Sequence, residues 1–277
     1  MQFKFLGTAA AEGFPAVYCE CEYCMEARRR MGKNVRTRSQ SLINDDLLID
    51  YPADIYLHVL QNNLKLYKVK YLLITHWHSD HFCPEELNLR GGCFAPTISG
   101  KMIIIGSSET YEKYVEFTAK SMPNIVRKDI EFKVIEPFES VKLGVYDITA
   151  LPARHGNLKG FIYHIKSDGK DVLYAHDTGY FYDSVIEYIR QNRIKFNFIT
   201  FDCTNIGISV PDDSGHMGLE NISRLKKVLK ECGAIDGETV LFINHFSHNA
   251  NPLHEELCEE AAKFGLRVAY DGLEIEI

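Results

Sequence analysis

The sequence predicts an α/β fold, and two observations support this prediction. Segments typical of strands and helices alternate along the whole chain, and several apolar strand-like segments end in histidine or aspartate. The chain has 277 residues, of which 45% are hydrophobic and 25% charged, so it is long enough to bury a large core. No low-complexity linker or change in composition divides it, and residues 1–277 are therefore predicted to form a single domain.

The strand-like segments are short runs rich in aromatic and β-branched residues, bounded by turn residues. They lie at 2–6, 46–50, 70–74, 101–105, 129–135, 146–151, 160–166, 171–175, 197–201, 239–243 and 266–270. Helical periodicity is found in longer segments between them, where apolar residues recur every three or four positions. These helices are predicted at about 53–64, 107–121, 182–193, 218–232 and 252–264.

One strand-like segment runs directly into the sequence THWHSDH at 75–81. His76 and His78 are two residues apart in an extended segment, so their side chains point the same way and can bind one ion. Asp80 and His81 follow after the chain turns, and can reach a second ion nearby. Imidazole and carboxylate groups suit transition metals, whereas three histidines and an aspartate so close together have no evident structural purpose.

Other strand-like segments end in the same kinds of residue. PARHG contains His155, HDTG contains Asp177, and NHFSH contains His245 and His248. Functional residues of α/β folds gather where strands end. We therefore expect these side chains to lie close to the THWHSDH segment.

These motifs resemble those of the metallo-β-lactamase fold hydrolases, whose signature is T-H-x-H-x-D-H. The resemblance implies a four-layer αββα sandwich and two divalent active-site metal ions, zinc or manganese, with iron or nickel also compatible. The ligands that the resemblance implies are His76, His78 and His155 for the first ion, Asp80, His81 and His245 for the second, and Asp177 between the two.

Within this fold, the motifs most resemble the phosphoribosyl 1,2-cyclic phosphate phosphodiesterases of phosphonate degradation. FLGTAAAEGFP, FDC, GHMGLEN, NHFSH and AYDGLEIEI have counterparts there in the same order. The resemblance implies hydrolysis of a small phosphodiester, such as a cyclic ribose phosphate, by attack of a metal-bridging hydroxide. It also implies that Asp80 and His216 are catalytic, with His216 protonating the leaving oxygen. Residues 204–214 have no such counterpart.

A second cluster of metal-ligating side chains is found near the start of the chain, in CECEYC at 19–24. By themselves, Cys19, Cys21 and Cys24 are compatible with a disulfide and one free thiol, a redox pair, or a metal that lacks a fourth ligand. The phosphodiesterase resemblance implies the third interpretation. The site would be a structural zinc whose fourth ligand is His248.

The charge and hydrophobicity of the chain limit the kinds of partner that it is expected to bind. The formal net charge is −7, and the basic residues are scattered except at 26–38, so binding of long nucleic acids is disfavoured. No apolar run reaches the roughly 18 residues that a membrane-spanning helix needs, and the N-terminus does not resemble a signal sequence. We therefore predict a cytoplasmic enzyme with a small substrate and no membrane partner. A homodimer is compatible with these observations.

The alternatives within the same fold are a ribonuclease Z-like tRNA nuclease and a hydrolase of lactones, thioesters or lactams. A metal-bound scaffold without activity is an alternative from a different class. Outside the predicted ligands, His58, His164 and His254 are expected to be structural or solvated. His176 is expected to point away from the ions. Asp50 is compatible with two interpretations: contact with a metal-binding histidine that it would orient, or an acidic turn residue at the end of a strand.

Overall fold

The structure is a computed structural model that describes residues 1–98 and 100–277. Two seven-stranded mixed sheets form its centre. In spatial order, the first sheet contains β14 (Glu274–Glu276), β1 (Gln2–Gly7), β2 (Gln40–Ile43), β3 (Leu47–Ile49), β4 (Tyr71–Leu73), β5 (Met102–Gly106) and β6 (Ile130–Val134). The second contains β13 (Arg267–Val268), β12 (Val240–Asn244), β11 (Phe198–Asp202), β10 (Lys170–Ala175), β9 (Phe161–Ser167), β8 (Tyr146–Pro152) and β7 (Ser140–Leu143).

The α-helices are α1 (Glu22–Arg30), α2 (Ile55–Asn62), α3 (Ser108–Ser121), α4 (Asn124–Arg127), α5 (Asp183–Gln191), α6 (Leu219–Glu231) and α7 (His254–Ala262). All except α1 cover the outer faces of the two sheets, whereas α1 packs in a small cluster with Phe14 and Leu253. A 3-10 helix at Pro84–Leu89 follows the THWHSDH segment. No helix in the described parts of the chain is both long enough and apolar enough to cross a bilayer.

Three apolar layers hold this arrangement together. Between the sheets, side chains such as Phe3 and Phe5 pack against Phe198 and Phe242 of the opposite sheet. A second cluster joins the first sheet to α2, α3 and α4, and a third joins the second sheet to α5, α6 and α7. Helix, sheet, sheet and helix therefore follow one another, which confirms the predicted four-layer sandwich.

The strand directions decide where the site lies. β3, β4 and β5 are parallel in the first sheet, and β10, β11 and β12 are parallel in the second. Parallel strands end at the same edge of a sheet, and this edge is where α/β proteins place their functional loops. The segments that follow β4, β8, β10 and β12 carry the predicted ligands.

Candidate metal centre

The predicted active-site ligands come together in one cluster at this edge. We call it the histidine–aspartate cluster, and it consists of His76, His78, Asp80, His81, His155, Asp177 and His245. Within it, several sets of ligand atoms lie no more than 4.8 Å apart. All seven side chains follow the ends of strands.

The first set of ligands contains three imidazoles. His76 Nε2 lies 3.0 Å from His78 Nδ1, and His155 Nε2 lies 3.3 Å from the same His78 nitrogen. His155 Nδ1 is 3.1 Å from Gly215 O, and because a carbonyl oxygen only accepts, Nδ1 donates and Nε2 keeps its lone pair. The predicted convergence of His76 and His78 is confirmed.

The second set is centred on His81, which is fully buried. Its Nδ1 lies 2.7 Å from Asp50 Oδ2 and donates to it, because a carboxylate only accepts. His81 Nε2 then faces Asp80 Oδ2 and His245 Nε2, each 3.3 Å away. Atoms with lone pairs thus face one another in a buried space, an arrangement that a bound cation stabilises. Of the two interpretations of Asp50, the contact with a metal-binding histidine is confirmed.

Asp177 stands between the two sets. Its Oδ1 lies 3.8 Å from His155 Nε2, whereas its Oδ2 lies 2.9 Å from Nε2 of both His81 and His245. Among the described residues, Asp177 Oδ2 is buried and has no hydrogen-bond partner, although two imidazoles are so close. Burial raises the pKa of Asp177, but the neighbouring imidazoles outweigh this effect and hold the pKa well below its usual value. An ionised carboxylate with an unpaired buried oxygen fits a metal ligand.

Three residues of this region adopt left-handed backbone conformations. Asp50, Asp177 and His245 have φ angles of 65°, 50° and 64°, and each follows the end of a strand. Such conformations cost about 1–3 kcal/mol in residues other than glycine, and they are concentrated at functional sites. Here they turn carboxylate and imidazole groups toward one another at the strand ends.

A buried aspartate outside the predicted ligands, Asp202, holds several parts of the histidine–aspartate cluster in place through hydrogen bonds. Asp202 accepts hydrogen bonds from the backbone N–H groups of Asp177, Thr204 and Met217, at 3.0, 3.1 and 2.9 Å. It also accepts from the Thr204 hydroxyl at 3.2 Å and lies 3.0 Å from His216 Nδ1. Thr204 Oγ1 in turn lies 2.8 Å from Nδ1 of the ligand His245. One carboxylate therefore fixes several parts of the site.

His216 lies at the rim of the cluster. Its ring stacks on His245 with centroids 5.6 Å apart and meets the His155 ring edge-on at 4.8 Å. One of its nitrogens lies within 4.8 Å of the ligand atoms of His155 and Asp177. Burial lowers the pKa of His216, but the Asp202 carboxylate more than offsets this effect and raises the pKa to about 9. A protonated ring held by a carboxylate is suited to donate a proton.

The loop at 204–217 positions this histidine and also supports a ligand. Its Gly215 carbonyl is the acceptor that fixes the His155 ring. The loop folds back closely against Gly218, where an added Cβ would lie 2.8 Å from the Ile208 carbonyl oxygen. Glycine is therefore required at this position. Residues 204–214, the segment without a counterpart in the motif comparison, reach the site through Thr204, whose hydroxyl contacts His245.

The second site is the cysteine cluster, which consists of Cys19, Cys21, Cys24 and His248. Their ligand atoms all lie within 4.8 Å of one another. Sγ of Cys21 and Sγ of Cys24 lie 3.8 and 3.7 Å from His248 Nδ1. A tetrahedral zinc with ordinary bond lengths separates sulfur from nitrogen by about 3.6 Å, so the four residues fit zinc.

Backbone groups and one carboxylate support the cysteine cluster. N–H groups of Ala16 and Cys21 point at the sulfurs of Cys24 and Cys19, each at 3.4 Å. Glu12 accepts the His248 backbone N–H at 3.2 Å. Burial raises the pKa of Cys21, but contacts with His248 and neighbouring groups outweigh it and lower the pKa to about 6. The surroundings of Cys21 therefore favour its thiolate, the form that binds metal, whereas burial raises the pKa of Cys24 to about 12.

The remaining histidines are held by hydrogen bonds away from the ligand atoms. His58 lies between Gln40 and Thr37, and His164 pairs with Asp171 at 2.7 Å. His254 contacts the buried guanidinium of Arg36 at 3.2 Å. All three side chains are thus engaged with partners outside the two clusters.

His176 is buried, as expected of a residue that points away from the ligands. Its Nε2 lies 2.8 Å from Thr200 Oγ1, and its Nδ1 lies 3.2 Å from Ser39 Oγ. It therefore packs behind the neighbouring Asp177 and is not one of the ligands.

Comparison with known proteins gives three main similarities and one family. The family described as Beta-lactamase superfamily domain matches residues 48–243. Coenzyme PQQ synthesis protein B of Acinetobacter baylyi (strain ATCC 33305 / BD413 / ADP1) is 23% identical over an alignment 314 residues long, which covers 100% of both chains. The crystal structure of zinc-bound PqqB from Methylobacterium extorquens has a TM-score of 0.79 at 18% identity, covering 100% of both chains. A new diphosphatase from the PhnP family has a TM-score of 0.76 at 20% identity, covering 100% of this chain and 96% of its own.

Proposed function

The chain belongs to the β-lactamase superfamily and has the metallo-β-lactamase fold, and from this premise we propose that it is a metal-dependent phosphodiesterase. Its substrate would be a small phosphodiester, such as a cyclic ribose phosphate. The net charge of −7 favours a small substrate over a long nucleic acid, which a basic surface would have to attract. The similarity to a PhnP-family diphosphatase supports phosphate chemistry on this fold.

We assign the ligands as the motif resemblance implies. One divalent cation would be held by His76, His78 and His155 and the other by Asp80, His81 and His245, with Asp177 between the two sets. When bound, such a pair acidifies a water molecule and neutralises charge on phosphate oxygens. Zinc, manganese, iron and nickel all suit this donor set.

The chain's own residues supply orientation and a proton. Asp50 and Thr204 fix the rings of His81 and His245, so their Nε2 atoms stay directed at the cations. The burial of His81 and Asp177 keeps bulk water from these ligands. His216, oriented by Asp202, donates a proton to the leaving oxygen of the diester as its bond to phosphorus breaks.

The observation that carries the proposal is the pair formed by His216 and Asp202 beside a complete set of ligands. Asp202 has no exposed surface, and its Oδ2 lies 3.0 Å from His216 Nδ1. Among the described residues, only Nδ1 of this ring has hydrogen-bond partners, so Nε2 is the nitrogen that would face a substrate. A proton donor at this position suits a reaction whose leaving group is a basic oxygen.

The substitution His216→Ala tests the proposal. We expect it to retain the metals and the fold but to lose about 10²–10⁴ in kcat on a diester with an alkyl leaving group. On a p-nitrophenyl diester the loss should be far smaller, because that leaving group departs without a proton. His164→Ala is the matched control, since it breaks a similar histidine–aspartate pair outside the cluster.

Three results would contradict the proposal. Loss of metal in His216→Ala would make His216 a ligand, and equal losses on both diesters would remove its role as an acid. Turnover of a chromogenic lactam or a lactone, without turnover of any diester by the metal-loaded enzyme, would favour the other hydrolase chemistry of the fold.

A second candidate function follows from the similarity to coenzyme PQQ synthesis protein B over the full length of both chains. In that case the chain would act in the synthesis of this coenzyme. Complementation of an Acinetobacter baylyi strain that lacks the protein distinguishes the two candidates. Restored coenzyme production, with no diester hydrolysis in vitro, would favour the second.

A further inference from the structure

An apolar patch lies on the outer side of the first sheet, on α2 and the segments that face it. Its six residues are between 50% and 70% exposed: Tyr56, Leu60, Tyr67, Leu89, Phe94 and Ile125. Together they expose roughly 700 Å² of apolar side chain, whereas the largest patch on a typical monomer is about 300–600 Å². A patch of this size marks an interaction surface.

Three of the patch residues, Tyr56, Tyr67 and Leu89, line a cavity of about 190 Å³. Tyr51, Ile55, Val59 and Met102 are among its apolar lining residues. Glu86 and Arg90 are the charged residues that line it. Cavities of about 150 Å³ with apolar walls accept a benzene ring, so this one has room for a single aromatic side chain.

An exposed aromatic side chain stands beside the cavity. Phe94 is 69% exposed, and its neighbour Ala95 lines the cavity. The N–H groups of both residues lie 3.2 Å from the Gly91 carbonyl, so a turn fixes Phe94 at the rim. The same turn packs on α4, where an added Cβ at Gly92 would lie 3.5 Å from Ile125 Cγ2. A projecting ring and a ring-sized cavity therefore share one surface.

We propose that the apolar patch is the surface through which two copies of this chain associate. A two-fold axis through the patch brings Phe94 of each copy to the cavity of the other, as self-complementary dimer interfaces require. The apolar area that the patch exposes, roughly 700 Å², is also close to the area of about 800 Å² that each partner buries in a stable dimer. A small apolar ligand would fill the cavity but leave the surrounding aromatic rings exposed to water.

The net charge of the chain predicts how the association depends on salt concentration. Each copy has a formal net charge of −7, so two copies repel one another at long range. Salt screens this repulsion but leaves apolar burial intact. Association should therefore become tighter as the salt concentration rises.

Sedimentation velocity on the full chain, from low to high micromolar concentration, tests the proposal. We expect a species of twice 31.7 kDa at the higher concentrations, favoured by salt. Phe94→Asp should raise the dimer dissociation constant at least about tenfold, as the loss of a central aromatic contact does. Tyr56→Asp, on α2 at another side of the cavity, should act in the same direction.

Val17→Asp is the matched control, because Val17 is 62% exposed and lies outside the patch, between β1 and α1. It should leave the dimer intact, and circular dichroism should show that all three variants are folded. A wild-type chain that stays monomeric, or equal dissociation constants in Phe94→Asp and Val17→Asp, would overturn the proposal. It would also be overturned if a monomeric wild type sedimented with phosphatidylcholine–phosphatidylserine vesicles, since the patch would then face a bilayer.

Discussion

The histidine–aspartate cluster and the cysteine cluster differ in how their ligands are held. In the histidine–aspartate cluster the ligands follow several strands of both sheets, and buried carboxylates such as Asp50 and Asp202 orient them. In the cysteine cluster, three ligands come from six consecutive residues, and His248 comes from the other end of the chain. Backbone N–H groups are its main support.

This difference indicates a structural role for the cysteine cluster and a catalytic role for the histidine–aspartate cluster. Four ligands within tetrahedral distance form a closed set, which is typical of a structural zinc that joins distant segments. The other cluster has seven proposed ligands and, among the described residues, a buried carboxylate oxygen without a hydrogen-bond partner. His216, the proposed proton donor, lies at its rim. Removing a ligand should therefore affect chemistry in one cluster and stability in the other.

The largest effect is expected from Asp177→Asn, which keeps the shape of the side chain but removes its charge. Because Asp177 contacts both sets of ligands, we expect loss of both active-site ions and a fall in kcat of more than about 10³. Metal analysis should still find the zinc of the cysteine cluster. Asp213→Asn, at an exposed position of the 204–217 loop, is the control and should be unaffected. Full metal content and activity in Asp177→Asn would exclude a shared carboxylate.

An intermediate effect is expected from Asp202→Asn, which removes the carboxylate that orients the site without removing a ligand. We expect kcat or metal affinity to fall about 10–100-fold, as for other groups that orient metal ligands. Asp236→Asn, whose carboxylate pairs with Lys195 on the surface, should change neither quantity. Unchanged kinetics and metal titration in Asp202→Asn would show that the backbone alone fixes His216 and His245.

The smallest effect on catalysis is expected from Cys21→Ser. Loss of one of four ligands should release about one zinc and lower the melting temperature by roughly 5–10 °C, since metal binding at a closed site contributes to folding. Below that temperature kcat should change less than about threefold, because no ligand of the active pair has been removed. Cys93→Ser, at an exposed position outside both clusters, is the control. A large loss of kcat at full stability would mean that the two clusters are not separable.

The sequence by itself determined much of the fold and most of the candidate site. Alternation and helical periodicity located eleven of the fourteen strands and five of the seven α-helices in the described residues, because these patterns follow from backbone geometry. The same geometry placed His76 and His78 on one side of an extended segment. The missed helices are α1 and α4, and the missed strands are β2, β7 and β14. β2 buries the polar residues Gln40 and Ser41, whereas β7 and β14 are short and largely exposed, so none has the usual apolar pattern.

Only the tertiary structure decided which distant groups orient the ligands. Asp202 follows the predicted strand at 197–201 and could have been suspected from that position alone. Its contacts with His216 and Thr204, however, depend on how the loop at 204–217 folds back. Likewise, His248 meets Cys24 across a separation of 224 residues, which the motif resemblance implied but local patterns could not. Local spacing sets which side chains share a face, whereas the packing of the two sheets and their loops decides what each face meets.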